Sequence, residues 1–329
     1  MTNQQARRTM LVPADPPAIV EAAAIVRAGG LVAMPTETVY GLAADATSDQ
    51  AVAAIYAAKR RPAFNPLIAH FADAAAAQKE AIFDADARAL AAAFWPGPLT
   101  LVAPVSAACR ICLLARAGLD SVGLRIPGHP VARALIEAAG VPLAAPSANR
   151  SGHVSPTLAS HVLADLDGRI DRILDAGPSR LGLESTIVAC LGGGPRLLRR
   201  GAIASEALEA VLGRAILDDS TGADAAPTAP GRLVSHYAPR AALRLNATAT
   251  ESDEAVLDFG GTLAAFPARV RLDLSPGGDP DEAAANLFAF LRQLDATHAS
   301  IIAVAPIPQR GLGAAIADRL RRAAAPRSR

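Results

Sequence analysis

The stretch Leu31-Val32-Ala33-Met34-Pro35-Thr36-Glu37-Thr38-Val39-Tyr40-Gly41-Leu42 is a short apolar run, stopped by proline and followed by a polar junction that closes on glycine. Just upstream, 18–29 carries apolar residues at helical spacing and stops at Gly29-Gly30. Helix, short buried strand and polar turn, in that order, make one α/β unit, and the same grammar recurs downstream. Helices are expected over 49–59, 86–94, 130–139 and 157–166. Strands are expected over 66–71, 99–105, 121–126, 143–145, 170–175 and 185–190. Between 218 and 230 apolar periodicity vanishes and the text reads as a linker. Beyond it, strands at 241–245, 262–266, 271–274 and 301–305 and helices at 281–294 and 313–322 build a second, smaller α/β unit. Its Gly311-Leu312-Gly313 is no dinucleotide fingerprint, because Ile316 stands where the third glycine belongs.

Composition agrees with two packed domains. The chain has 329 residues, 51% hydrophobic and 19% charged, which excludes a disordered chain. Aromatics are only 4%, so the core must be built from Ala, Leu, Val and Ile. A net charge of +1 argues against nucleic-acid binding through a bulk positive field. Lys59 and Lys79 are the only lysines among 32 basic residues, so arginine abundance by itself says little about phosphate. Cys109, Cys112 and Cys190 make no disulfide framework, and a reducing cytoplasm is the expectation. Cys109 and Cys112 have redox or zinc spacing but no second Cys/His pair beside them. Residues 1–8 lack the apolar core of a signal peptide. The longest uncharged run, 89–109, is broken by Pro96, Gly97, Pro98 and Pro104, so no membrane helix is expected.

The signatures of P-loop, nucleophile-elbow and zincin chemistry are absent from the sequence. Polar, Gly/Pro-rich junctions after short strands stand out instead, where open α/β sheets bind ligands. Pro35–Leu42 offers two hydroxyls and a carboxylate. Lys59-Arg60-Arg61-Pro62-Ala63-Phe64-Asn65-Pro66-Leu67-Ile68-Ala69-His70 joins cations to a proline-pinned turn, a pattern suited to phosphate. Phe94-Trp95-Pro96-Gly97-Pro98-Leu99-Thr100 reads as a packed turn. Arg125, inside the apolar strand Ser121–Ile126, needs an anionic partner, whether Glu, Asp or a substrate carboxylate. Ala145-Pro146-Ser147-Ala148-Asn149, with Ser155 beyond it, lets backbone amides approach a ligand closely. Glu184-Ser185-Thr186-Ile187, Leu198-Arg199-Arg200-Gly201 and Ser235-His236-Tyr237-Ala238-Pro239 complete the set.

These eight motifs, in this order over roughly residues 15–240, resemble the YrdC/Sua5 family of threonylcarbamoyl-AMP synthases in its long form. The resemblance implies a YrdC-like twisted open sheet over 1–215, a linker or lid over 216–240, and a smaller Rossmann-like Sua5 domain over 241–329. It implies synthesis of threonylcarbamoyl-AMP and pyrophosphate from L-threonine, bicarbonate or CO2, and ATP. Thr38, His70, Arg125, Ala145 and Ser185 fall where the family holds threonine. Arg61, Asn65, Ser121, Ser147, Ser155, Arg199 and Tyr237 fall where it holds ATP, with Lys59 and Arg61 as the catalytic cations. Mg²⁺ is expected with ATP, and no protein side chain is identified as its ligand. The product is expected to pass to the machinery that modifies adenosine 37 of tRNA, with a weak tRNA contact and no membrane partner. Ser121 departs from the threonine usual there, and 231–235 lack the lysines often found before His-Tyr. The competing reading is a non-catalytic double-stranded RNA or tRNA-binding module, which the near-neutral charge disfavours.

Overall fold

The computed structural model describes residues 8–220 and 236–326. The first unit runs β1 (Met10–Pro13), α1 (Pro16–Arg27), β2 (Val32–Met34), β3 (Gly41–Asp45), α2 (Asp49–Lys59), β4 (Ile68–His70), α3 (Ala74–Glu80), α4 (Ala85–Phe94) and β5 (Leu99–Pro104). It continues with β6 (Ser121–Arg125), α5 (Pro130–Ala139), β7 (Leu143–Ala144), α6 (Ala159–Leu166), β8 (Arg172–Asp175), β9 (Thr186–Ala189), β10 (Arg196–Arg199), α7 (Ser205–Leu212) and β11 (Leu217–Asp218). Helix starts are written in the sequence: Asp15, Ser48, Asp73 and Asp84 each accept a first-turn backbone N–H with their side chains. The strands form one mixed sheet in the order β1-β8-β2-β3-β7-β4-β6-β5-β9-β10-β11. In its middle, parallel pairing of β4 with β6 sets His70 beside Arg125, and β7 places Leu143 opposite His70. Register, not sequence proximity, assembles the site.

The second unit comprises β12 (Ala242–Arg244), β13 (Ala255–Asp258), β14 (Val270–Asp273), α8 (Pro280–Asp295), β15 (Ile301–Val304) and α9 (Leu312–Ala324). Its four strands are all parallel, in the order β12-β15-β13-β14. The α/β architecture with a large sheet and a smaller second domain is therefore the observed one. The strand expected at 262–266 is a turn, and β13 precedes it. Gly260 and Gly261 sit at positive φ, and the Asp258 carboxylate accepts from the backbone of Phe259 and Leu263. Extended pairing therefore stops at Asp258. Of the linker expected over 216–240, residues 221–235 lie outside the described residues, while Leu217–Asp218 pairs with β10.

The two units share a core. Val39, Val154 and Leu183 of the first pack into one apolar cluster with Tyr237, Leu287 and Phe288. Gly182, at φ +68, lets the loop before β9 lie against α8: a Cβ there would meet the Ala284 carbonyl at 2.3 Å and the Ala285 Cα at 2.6 Å. Gly182→Ala should cost about 1–3 kcal/mol from overpacking, beyond any left-handed backbone cost. Urea unfolding beside Gly213→Ala, whose φ of +65 is similar but whose Cβ would meet open space, isolates the packing loss. Equal losses in the two variants would show that the contact with α8 contributes nothing.

Candidate active site

A pocket at the carboxyl ends of β4 and β6 gathers the side chains that the motifs single out. Thr38, His70, Arg125, Ala145 and Ser185 line it, and so do Arg61, Ser147, Arg199 and Tyr237. Four expected site residues lie elsewhere. Lys59, Asn65 and Ser155 are buried but do not line this pocket, and Ser121 opens on a neighbouring small cavity with Pro66, Leu67 and Ile68. Ser121 begins β6 whereas Arg125 ends it, so one strand spans both cavities. Lys59 Nζ donates to the Ser147 and Asn149 carbonyls and pins the 147–149 turn to the end of α2. The Asn65 amide is fully buried with no partner among the described residues.

Arg125 finds its anion within the protein. Its Nη2 donates to Glu37 Oε1 at 2.7 Å and to Thr38 Oγ1 at 3.0 Å, and its Nε to the Gly97 carbonyl at 3.3 Å. The Trp95-Pro96-Gly97-Pro98 turn therefore carries an Arg125 acceptor as well as packing. Burial pushes the Glu37 carboxyl up, but the Arg125 charge and hydrogen bond outweigh it and hold Glu37 below the usual carboxylate range. Burial, helped by the Arg125 charge, brings His70 down to about 3, so its imidazole is neutral at pH 7.

A second cation anchors the opposite wall. Arg199 donates through Nε and Nη2 to the Ser185 carbonyl at 3.1 and 2.8 Å, and through Nη2 to Ser185 Oγ at 3.1 Å. Thr100 Oγ1 lies 2.7 Å from the same hydroxyl. The loop after β10 crosses this wall at Gly201, where a Cβ would stand 2.4 Å from the Glu184 carbonyl. Arg61 donates to the Asn65 and Pro66 carbonyls at 3.3 and 3.1 Å and so shapes the turn it belongs to. Burial lowers Arg61 and Arg199 to about 10, leaving both charged at neutral pH. Burial and the Arg61 charge push Lys59 well below the ordinary lysine value.

Three participants were not singled out as site residues. Glu184 accepts from Ser155 Oγ at 2.6 Å and from Arg319 Nε at 2.8 Å. Arg319, from α9, lies with its guanidinium carbon 5.1 Å from the Tyr237 ring centroid. His236 lines the pocket beside Tyr237, the two ring centroids 4.0 Å apart. Glu184 and His236 sat inside quoted motifs, whereas nothing local marks Arg319.

Residues 24–201 match the sequence family described as Telomere recombination, and residues 203–325 match Threonylcarbamoyl-AMP synthase, C-terminal domain. A Bacillus subtilis protein named threonylcarbamoyl-AMP synthase is 40% identical over 94% of this chain and 93% of its own. A Pyrococcus abyssi protein of the same name is 39% identical over 92% of each chain. The chain belongs to the threonylcarbamoyl-AMP synthase family. A crystal structure of P. abyssi Sua5 complexed with L-threonine matches at 36% identity with a TM-score of 0.88, covering 96% of this chain and 97% of that one. The match extends across both units, so this chain has the family's long form. Among the described residues, no helix is long and apolar enough to cross a membrane.

Histidines held neutral, His70 buried and His161 half-buried, make the fold sensitive to acid. His70 at about 3 and His161 at about 4 stay unprotonated in the folded chain, while the unfolded chain takes up their protons below about 6.5. Their contribution is full above pH 6.5 and is lost as pH falls towards the folded values. Denaturant unfolding from pH 7.5 to 4.5 should show falling stability, and His70→Gln should flatten that slope. A slope unchanged by His70→Gln would mean that His70 is not held neutral.

Proposed function

We infer that the chain is a threonylcarbamoyl-AMP synthase, joining L-threonine, bicarbonate or CO2, and ATP into L-threonylcarbamoyladenylate and pyrophosphate. The observation that carries this reading is a single pocket in which Arg125, His70, Thr38 and Ser185 meet Arg61, Ser147 and Arg199, in a chain aligned with relatives of that name over nearly its whole length. The threonine amine captures CO2, and a carbamate oxygen attacks the α-phosphorus of ATP as pyrophosphate leaves. The substrate brings the nucleophile, so catalysis rests on positioning and on charge complementary to the phosphoryl transition state.

In this reading Arg125 receives the threonine carboxylate, since its Nη1 has no partner among the described residues. Ala145 keeps the pocket small, and Thr38, His70 and Ser185 surround the amino acid. Arg61 and Arg199 face the phosphates, Ser147 serves the nucleotide and Tyr237 covers it, while Lys59, Asn65 and Ser155 support the site from behind, Lys59 through the 147–149 turn and Ser155 through Glu184. We assign Ser121, in the adjoining cavity, to the outer end of the same nucleotide. Mg²⁺ travels with ATP as substrate. Glu184 in the pocket and Glu37 behind it each pair with a guanidinium group. The product then serves a threonylcarbamoyl transfer to tRNA, and the free thiols fit a cytoplasmic setting.

Two measurements check the assignments. Arg61→Ala should weaken ATP binding by about 1.5–3 kcal/mol, the range for charge-assisted hydrogen bonds; unchanged affinity in calorimetry would remove Arg61 from the phosphate site. Pyrophosphate release with bicarbonate present should rank threonine above serine and serine above valine, because a site built around a hydroxyl penalises its loss strongly. Valine matching threonine would contradict a polar amino-acid pocket.

A further inference from the structure

Thr38 lines the pocket, and the hydrogen-bonding sense of its hydroxyl is fixed by a neighbour, Thr36, that does not. Thr36, 2% exposed, holds its Oγ1 2.6 Å from the Val39 carbonyl and 2.8 Å from Thr38 Oγ1. A carbonyl oxygen carries no hydrogen, so the Thr36 hydroxyl must donate to Val39. It then has no proton left for Thr38, and the 2.8 Å contact requires Thr38 to be the donor. The other lone pair of Thr36 Oγ1 is shared by the backbone N–H groups of Thr38 and Val39, both at a long 3.2 Å, which holds it in place. On its other side Thr38 Oγ1 accepts from Arg125 Nη2 at 3.0 Å, and a guanidinium can only donate. The Thr38 proton and one lone pair are thus committed, and one lone pair remains for the pocket.

We propose that Thr36 is a specificity-determining positioning residue: by orienting the Thr38 hydroxyl as a fixed acceptor, it selects an amino acid whose side chain donates an O–H. This rests on the threonine reading above and names the contact that reads the side-chain hydroxyl. An amino acid with a methyl group at that place leaves the lone pair unmet in a buried site, a loss that an added apolar contact does not offset. Val39 ties the device to the second unit, because the residue whose carbonyl fixes Thr36 packs its side chain into the shared apolar cluster.

The test compares Thr36→Val, nearly isosteric but unable to accept, with Thr36→Ser, which keeps the oxygen. In each variant kcat/KM for threonine, KM for ATP and the inhibition constant of valine against threonine are measured. Thr36→Val frees the Thr38 proton to point into the pocket. Threonine kcat/KM should fall about tenfold or more, one good hydrogen bond's worth, through KM rather than kcat. Valine inhibition and the KM for ATP should stay within about twofold, and Thr36→Ser should restore threonine use. Parallel losses for threonine, valine and ATP, or no loss for threonine, would overturn the proposal. A wild-type chain that releases no pyrophosphate with threonine would instead overturn the functional reading on which it stands.

Discussion

The buried guanidinium of Arg319 ties the two units to one another at the wall of the pocket. It is 1% exposed, and such a charge is tolerated inside a protein only when its partners satisfy it. Glu184 and Asp318 supply carboxylates at 2.8 and 2.7 Å, the Arg200 carbonyl accepts at 2.7 Å, and the Tyr237 ring lies against it. Glu184 comes from the wall of the pocket, Asp318 from α9, and Tyr237 from the segment joining the two units. Removing the guanidinium would strand the buried Glu184 carboxylate, while Asp318 would keep Arg322 at 3.2 Å, so the interface is specified as well as packed. A second tie, Arg292 to Asp165 at 2.8 Å and to the Val154 carbonyl, works the same way from α8.

That constraint makes the pocket a joint product of both domains. Its floor is the middle of the large sheet, where β4 and β6 deliver His70 and Arg125 side by side. Its cover is His236 and Tyr237, the latter stacked on Phe288 of α8 with ring centroids 5.6 Å apart. In the proposed reaction threonine, through its carboxylate, and ATP, through its phosphates, are anionic where they meet the protein, and the pocket answers with Arg61, Arg125 and Arg199. Glu37 and Glu184 keep these cations from repelling one another without the ligands. The neutral His70 adds polarity without adding charge.

Much of this was legible in the sequence because the site is written in contiguous motifs. Asp49–Lys59 and Pro130–Ala139 appear with the bounds expected from periodicity and punctuation, since Ser48 and Gly140 mark their limits locally. Arg125 was readable as a charge in need of a partner, but the choice of Glu37 depends on sheet register. The alanine-rich β3 reads as neither helix nor strand by pattern alone, and pairing with β2 and β7 decides it. Residues 262–266 are apolar enough to suggest a strand, but turns run through 260–265, where Gly260 and Gly261 take positive φ. Arg319 was hidden because its partner Glu184 is 135 residues away, and an arginine on an amphipathic helix looks like any solvent-facing charge.

The most direct test of a synthase whose site both domains complete is transfer of carbon from isotope-labelled bicarbonate into an adenylate, followed in the intact chain and in Arg319→Met. The account predicts label that requires both ATP and L-threonine in the intact chain and is lost in the variant. No labelled adenylate from the intact chain, or equal label from Arg319→Met, would contradict it.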